Sequence, residues 1–371
     1  MLKLPNIQIL RAVAALAVVF YHDGIESTAI CVATGKPCVY DFTLGTFGVP
    51  LFFMISGFIM VMTSWNSFAQ TGAPTQFMRR RLIRIVPLYW LVTTIAVAGA
   101  LVVPSMLNVP VDDPIYIAAS YLFWPMARVN GLIRPIANLG WTLNLEIMFY
   151  AVFTLALFFN RKRGLALAVA FLTGATMLQL TGIFAASGIL ASTPLNFWAD
   201  PIILNFILGM LVAALYKREF RVNVTEARLL IAISAVGLLI INNIHGTLDA
   251  IPENHIINRG VLTLAVAFMF IAGALGPQID VTKPLWRAGL LIGDASYSLY
   301  LVHPFFLRPI SKFWSKIIGS HLPVWTFSIV AIILAVAVGL VVYMFVERPL
   351  TNYFARNSKR SVANSKARLA H

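Results

Sequence analysis

Apolar stretches separated by short polar segments recur from the first line of the chain to within 25 residues of its end. A helix crossing hydrocarbon needs roughly 20 mostly apolar residues. The spans that meet this description are Ile7 to His22, Phe47 to Ser64, Leu82 to Val103, Leu139 to Phe159 and Leu165 to Thr181 in the first half. Phe197 to Tyr216, Leu229 to Ile244, Val261 to Leu275, Leu285 to Leu307 and Val324 to Val346 follow. The predicted fold is an all-α polytopic membrane helix bundle of about ten transmembrane helices. It fills one domain over residues 1–350, and a basic tail, 351–371, is expected to be disordered and cytoplasmic. Ile115 to Pro125 is apolar but too short to cross, and reads as an interfacial or re-entrant segment.

Composition agrees with this pattern. Of the 371 residues 59% are hydrophobic and 11% charged, with a mean hydropathy of +0.83, which excludes an ordinary soluble domain. The first span resembles a secretory leader because Lys3 precedes it, but Arg11 interrupts it and no small-residue cleavage site follows His22. It therefore reads as a retained helix. The net charge of +14 lies in short clusters between spans rather than on one basic face, so no nucleic-acid partner is expected.

Those clusters set the orientation, because Lys and Arg concentrate on the cytoplasmic side of membrane proteins. With a cytoplasmic N-terminus and ten crossings, 21 basic residues fall inside and 7 outside. The outer set is Lys36, Arg128, Arg134, Arg259, Arg308, Lys312 and Lys316. Both termini are predicted cytoplasmic. Cys31 and Cys38 share the first outer loop, where an oxidising compartment would allow a disulfide; two unrelated thiols are the alternative. The tail from Asn357 suits a surface role at anionic membrane lipids.

Ionisable side chains inside spans are costly and point to function. Arg11 and His22 lie eleven residues apart on one face of the first helix, about 16 Å apart along its axis. They are either functional or, respectively, a cytoplasmic anchor and a terminal residue. Glu146 stands inside the fourth span with Tyr150 on its face at i+4. A structural, hydrogen-bonded carboxyl is one reading; a partnership with His22 or an arginine is the other. Arg81 and Arg84 open the third span one turn apart, where they serve either as a topology signal or as a bidentate phosphate site. His303, with Tyr300 on its face, lies near the outer end of the ninth span, as a site pair or as core hydrogen-bonding residues. No His or Cys pair has metal-ligand spacing, so no metal is expected.

Six blocks in a fixed order carry a resemblance that covers nearly the whole chain. They are Leu10-Arg11-Ala12-Val13-Ala14-Ala15 running to His22, Phe47 to Phe58, Arg81 to Trp90, Trp141 to Tyr150, Ser296 to Pro304, and Glu347-Arg348-Pro349. In this order the chain resembles the acyltransferase-3 family of membrane-integral O-acyltransferases, and is most similar to bacterial exopolysaccharide O-acetyltransferases. Pro50 departs from the family pattern, which has an acidic or small residue there. The resemblance implies transfer of an acyl group, acetyl by default, from acyl-CoA to a hydroxyl of a carbohydrate acceptor, possible lipid linkage included, at the bacterial inner membrane. No permanently bound cofactor is implied. It also implies His22 as the catalytic histidine with Arg11 as its companion, Arg81 and Arg84 as the donor-handling pair, and Glu146 as the carboxylate of the fourth helix. Tyr150, Tyr300 and His303 are the remaining substrate-binding candidates. In that scheme the acyl donor spans from the inner arginines to His22, which Glu146 orients or balances. The other classes are a secondary transporter using Arg, Glu and His as a proton or substrate pathway, and a structural export subunit. No similarity between the two halves supports transport.

Overall fold

The computed structural model describes residues 4–37, 43–102, 111–128, 131–183, 194–248, 254–317 and 322–356. Secondary structure in these residues is helical apart from one isolated bridge between Ala127 and Ile133. In chain order the helices are α1 (Pro5–Thr34), α2 (Gly48–Ser64), α3 (Ala73–Val102), α4 (Pro114–Tyr121), α5 (Gly140–Ala156), α6 (Arg161–Leu180) and α7 (Pro194–Trp198). They continue with α8 (Leu204–Lys217), α9 (Val224–Leu248), α10 (Asn254–Leu275), α11 (Pro284–Asp294), α12 (Ser296–Val302), α13 (Pro304–Ile317) and α14 (Val324–Val342). After α14 a π turn over Tyr343–Glu347 leads to further helix ending at Arg356.

Seven helical stretches among the described residues are long and apolar enough to cross a bilayer. They correspond to seven of the ten expected spans and make the chain an integral membrane protein. The other three differ from expectation. The fourth span is α5, with 17 residues, at the lower edge of what crosses a bilayer. The described apolar part of the eighth is Gly260–Leu275. The ninth is not one helix but three, α11 to α13. Ala295 leaves the helical region with φ −83° and ψ 1°, and Pro304 has no amide proton to continue the ladder. Such interrupted backbone belongs at membrane depth only where protein or a cavity surrounds it.

The first helix is also longer than hydropathy predicts. It passes His22 and runs twelve residues further to Thr34, ending on Gly35 in the left-handed region at φ 69°. Asp23, Gly24 and Glu26 end the apolar run, but polar side chains do not break a helix if they find partners.

The chain forms two compact units, one from Met1–Thr63 and Pro201–Leu340, the other from Ser64–Asp200 and Val341–His371. In the first, α1 is the central rod and packs against α10, α11, α12 and α13. Its N-terminal end is fastened by Asn6, whose Nδ2 donates to the carbonyls of Gly273 and Pro277, each at 2.9 Å. Asn6 Oδ1 accepts from the Ile279 amide at 2.9 Å. Close helix approach in lipid depends on small residues. A Cβ on Gly57 of α2 would lie 2.1 Å from the Phe206 carbonyl oxygen, and one on Gly209 of α8 would lie 1.9 Å from that of Met54. Along α1 from its middle to its C-terminal end, Ala15, Val19, Ile30 and Cys31 join Leu299, Leu307, Trp314, Phe327 and Ala331 in one apolar cluster. Cys31 is held in a disulfide, and Cys38 lies outside the described residues.

In the second unit α3 and α5 are pinned at two places. Gly140 admits the Tyr89 ring, which a Cβ would meet at 2.6 Å, and the Phe77 and Phe153 rings stand 5.1 Å apart. The segment expected to be interfacial contains the eight-residue α4, capped by Asp113, whose carboxylate accepts from the Ile115 amide at 2.8 Å. Tyr89 Oη donates to the Ser120 carbonyl of α4 at 2.9 Å.

Candidate active site

His22 sits two-thirds of the way along α1, and its Nδ1 faces the carbonyl oxygen of Val18, one turn earlier, at 2.9 Å. His303 closes α12 in the same way, with Nδ1 at 2.9 Å from the Leu299 carbonyl. A carbonyl can only accept, so the hydrogen-bond network assigns the proton of each neutral ring to Nδ1 and leaves Nε2 as a lone-pair base. The two rings meet edge to face, with centroids 5.0 Å apart. His303 is fully buried, and its Nε2 has no hydrogen-bond partner among the described residues. The structure thus brings two of the sequence candidates together from distant parts of the first unit. Tyr300 is buried beside them and packs edge-on against Phe52 of α2 at 5.7 Å.

Two acids beside His22 escaped the sequence reading, because the first helix was expected to end at His22 itself. Asp23 is fully buried, with the Ser328 hydroxyl beside its carboxylate. Nearby, Ser27 Oγ and Ser328 Oγ are 3.1 Å apart. Glu26 lies at i+4 from His22, so both are on one face of α1, and its charge reaches the imidazole. Its Oε2 accepts from the Ser311 hydroxyl of α13. The signal that could have found both acids was their spacing from His22, had the helix been carried past the apolar run.

Arg11 is buried, with Nη1 donating to Gln8 Oε1 at 2.8 Å. It shares α1 with His22 but is about 16 Å from it along the axis, too far for direct contact.

The second unit assembles the other candidates. The two contacts between α3 and α5 set Arg81 opposite Tyr150 and Glu146, and the charges of Arg81, Arg84 and Glu146 reach one another there. Tyr150 is buried and its Oη donates to Glu146 Oε1. Arg81 is buried with its guanidinium 5.5 Å from the centre of the Phe77 ring. Of the two partners open to Glu146, the arginines are the ones within its own unit, whereas the carboxylate within His22's unit and reach is Glu26. Among the described residues no group of three or more His, Cys, Asp or Glu could hold a metal ion.

Residues 4–344 match the acyltransferase domain family. The chain belongs to the acyltransferase-3 family. It is 32% identical over 322 residues to the exopolysaccharide production protein ExoZ of Rhizobium meliloti (strain 1021), covering 84% of this chain and 91% of that one. It is 25% identical to the acyltransferase MdmB of Streptomyces mycarofaciens, covering 98% and 95%. A Staphylococcus aureus (strain COL) protein provisionally named as an O-acetyltransferase is 24% identical over 93% of this chain but only 57% of its own length. No solved structure matches the chain. This acyltransferase therefore carries, in its first unit, a pair of imidazoles suited to general-base chemistry, with His303 buried and His22 part-buried, and, in its second, an arginine cluster with a carboxylate beside it.

Proposed function

We propose that this acyltransferase moves an acetyl group from acetyl-CoA to a hydroxyl of a cell-surface or exported carbohydrate at the bacterial inner membrane. In this reading the chain crosses ten times with both termini in the cytoplasm. The observation that carries the proposal is the His22 and His303 pair, whose geometry leaves Nε2 of each ring as a base. Names of relatives supply the class of acceptor and acyl group: one is an exopolysaccharide production protein, another an O-acetyltransferase by provisional name.

His22 Nε2 takes the proton of the acceptor hydroxyl as its oxygen attacks the thioester carbonyl. The C–O bond forms, the C–S bond breaks, and the proton returns from the imidazolium to the leaving thiolate. Histidine titrates in the range such a cycle needs. Arg81 and Arg84 take the donor's phosphates, for which guanidinium geometry is suited. Glu146 and Tyr150 hold that arginine pair in place, and Tyr300 and His303 line the acceptor path. Arg11 serves as a positioning residue at the inner end of α1.

The test compares surface polysaccharide from cells with the wild-type protein, the His22→Ala variant and a deletion, quantifying ester-linked acetate by NMR before and after mild alkali. Acetate lost equally in the deletion and in His22→Ala, with the variant inserted at normal levels, supports the reading. Unchanged ester content in the deletion, across all surface glycans, overturns it.

A further inference from the structure

Glu26 is on the same helix face as His22, one turn on, and is tied from the opposite side by α13. Ser311, buried at 3% exposure, lies between Leu307 and Trp314, the other buried residues of α13. Its hydroxyl has a single proton and two acceptors in reach, the Glu26 carboxylate and the Arg308 carbonyl at 3.0 Å. The carboxylate is the stronger acceptor because the bond to it is charge-assisted.

We propose that Glu26 is a positioning residue that stabilises the imidazolium formed on His22 during acyl transfer, and that Ser311 holds its carboxylate in place. The inference rests on the general-base role proposed for His22. In that cycle His22 gains a positive charge when the acceptor's O–H bond breaks and loses it when the thiolate is protonated. Nδ1 of His22 is committed to a neutral carbonyl, so the compensating negative charge must come through space. Glu26 is the acidic group whose charge reaches the ring. The other groups against His22 are Tyr21 and His303, with ring centroids at 5.2 and 5.0 Å. Asp23 is the next residue on α1 and interacts with Glu26, and Arg308 of α13 is exposed.

The experiment uses full-length protein in inverted membrane vesicles supplied with acetyl-CoA, following thiol release and ester formation on the membrane acceptor as a function of pH. Glu26→Gln keeps the oxygen that accepts from Ser311 and removes only the charge. It is expected to lower the turnover number about 10- to 50-fold, from a unit charge one helical turn away at partial burial. KM for acetyl-CoA stays as in wild type, and the acid limb of the pH–rate profile moves to lower pH. Ser311→Ala, which frees the carboxylate without removing it, lowers turnover about threefold. Wild-type turnover and pH profile in Glu26→Gln overturn the inference. If Glu26→Gln fails to insert, Ser311→Ala decides: unchanged turnover and profile there overturn it equally. His22→Ala, run in parallel, separates this failure from that of the underlying reading, since full activity in His22→Ala removes the general base itself.

Discussion

The two candidate centres differ in the charged groups that they bring together. In the second unit positive charge is in excess: Arg81 feels Glu146 and Tyr150 on one side and Arg80 and Arg84 on the other. In the first unit, His303 Nε2 is buried without a hydrogen-bond partner among the described residues, while Asp23 has the Ser328 hydroxyl beside it and Glu26 is tied down by Ser311. Unsatisfied buried polar atoms cost free energy. A catalytic role is one reason for a fold to keep such an atom. An excess of positive charge instead suits holding an anionic ligand. On the proposed reading, the first unit serves proton transfer and the second electrostatic anchorage.

The strongest way to break that division is His303→Phe, which keeps a buried ring of similar size but has no Nε2. Acetyl transfer should fall on the order of 100-fold if the second imidazole takes part in polar catalysis, as read from ester formation in vesicles. Near-normal turnover would reduce the pair to His22 alone. Arg81→Gln should raise KM for acetyl-CoA about tenfold, equivalent to about 1.4 kcal/mol, while turnover at saturation changes little. Because it takes one of the neighbouring positive charges away from Glu146, thermal stability in detergent should also drop. Adding Glu146→Gln should restore the stability but not the KM, a non-additivity that separates anchorage from folding. Tyr150→Phe removes one hydroxyl from Glu146 and should cost about 1 kcal/mol of stability with a change of only a few-fold in KM. A large loss of turnover there would move chemistry into the second unit and dissolve the comparison.

Much of this was legible in the chain. Apolar runs of membrane length made the helical class unavoidable, and intramembrane ionisable residues pointed to His22, Glu146, Arg81 and His303. The misses have specific causes. Hydropathy ended the first helix at His22, because Asp23, Gly24 and Glu26 are poor membrane residues, yet α1 continues to Thr34. That one boundary hid the carboxylate one turn beyond His22. The ninth span read as continuous because its composition is apolar throughout, while its backbone breaks at Ala295 and Pro304 bring His303 to a helix end.

By itself the sequence determined what solvent the chain needs and which side chains share a helix face. Backbone groups without water must bond within their own helix, and the 3.6-residue period puts Glu26 under His22 and Tyr150 under Glu146. Tertiary structure alone decided which faces meet. Ser311 reaches Glu26 across 285 residues of chain, and His303 meets His22 across a comparable length. Such pairings depend on glycine-lined approaches and side-chain shapes matched between helices, which local periodicity does not encode.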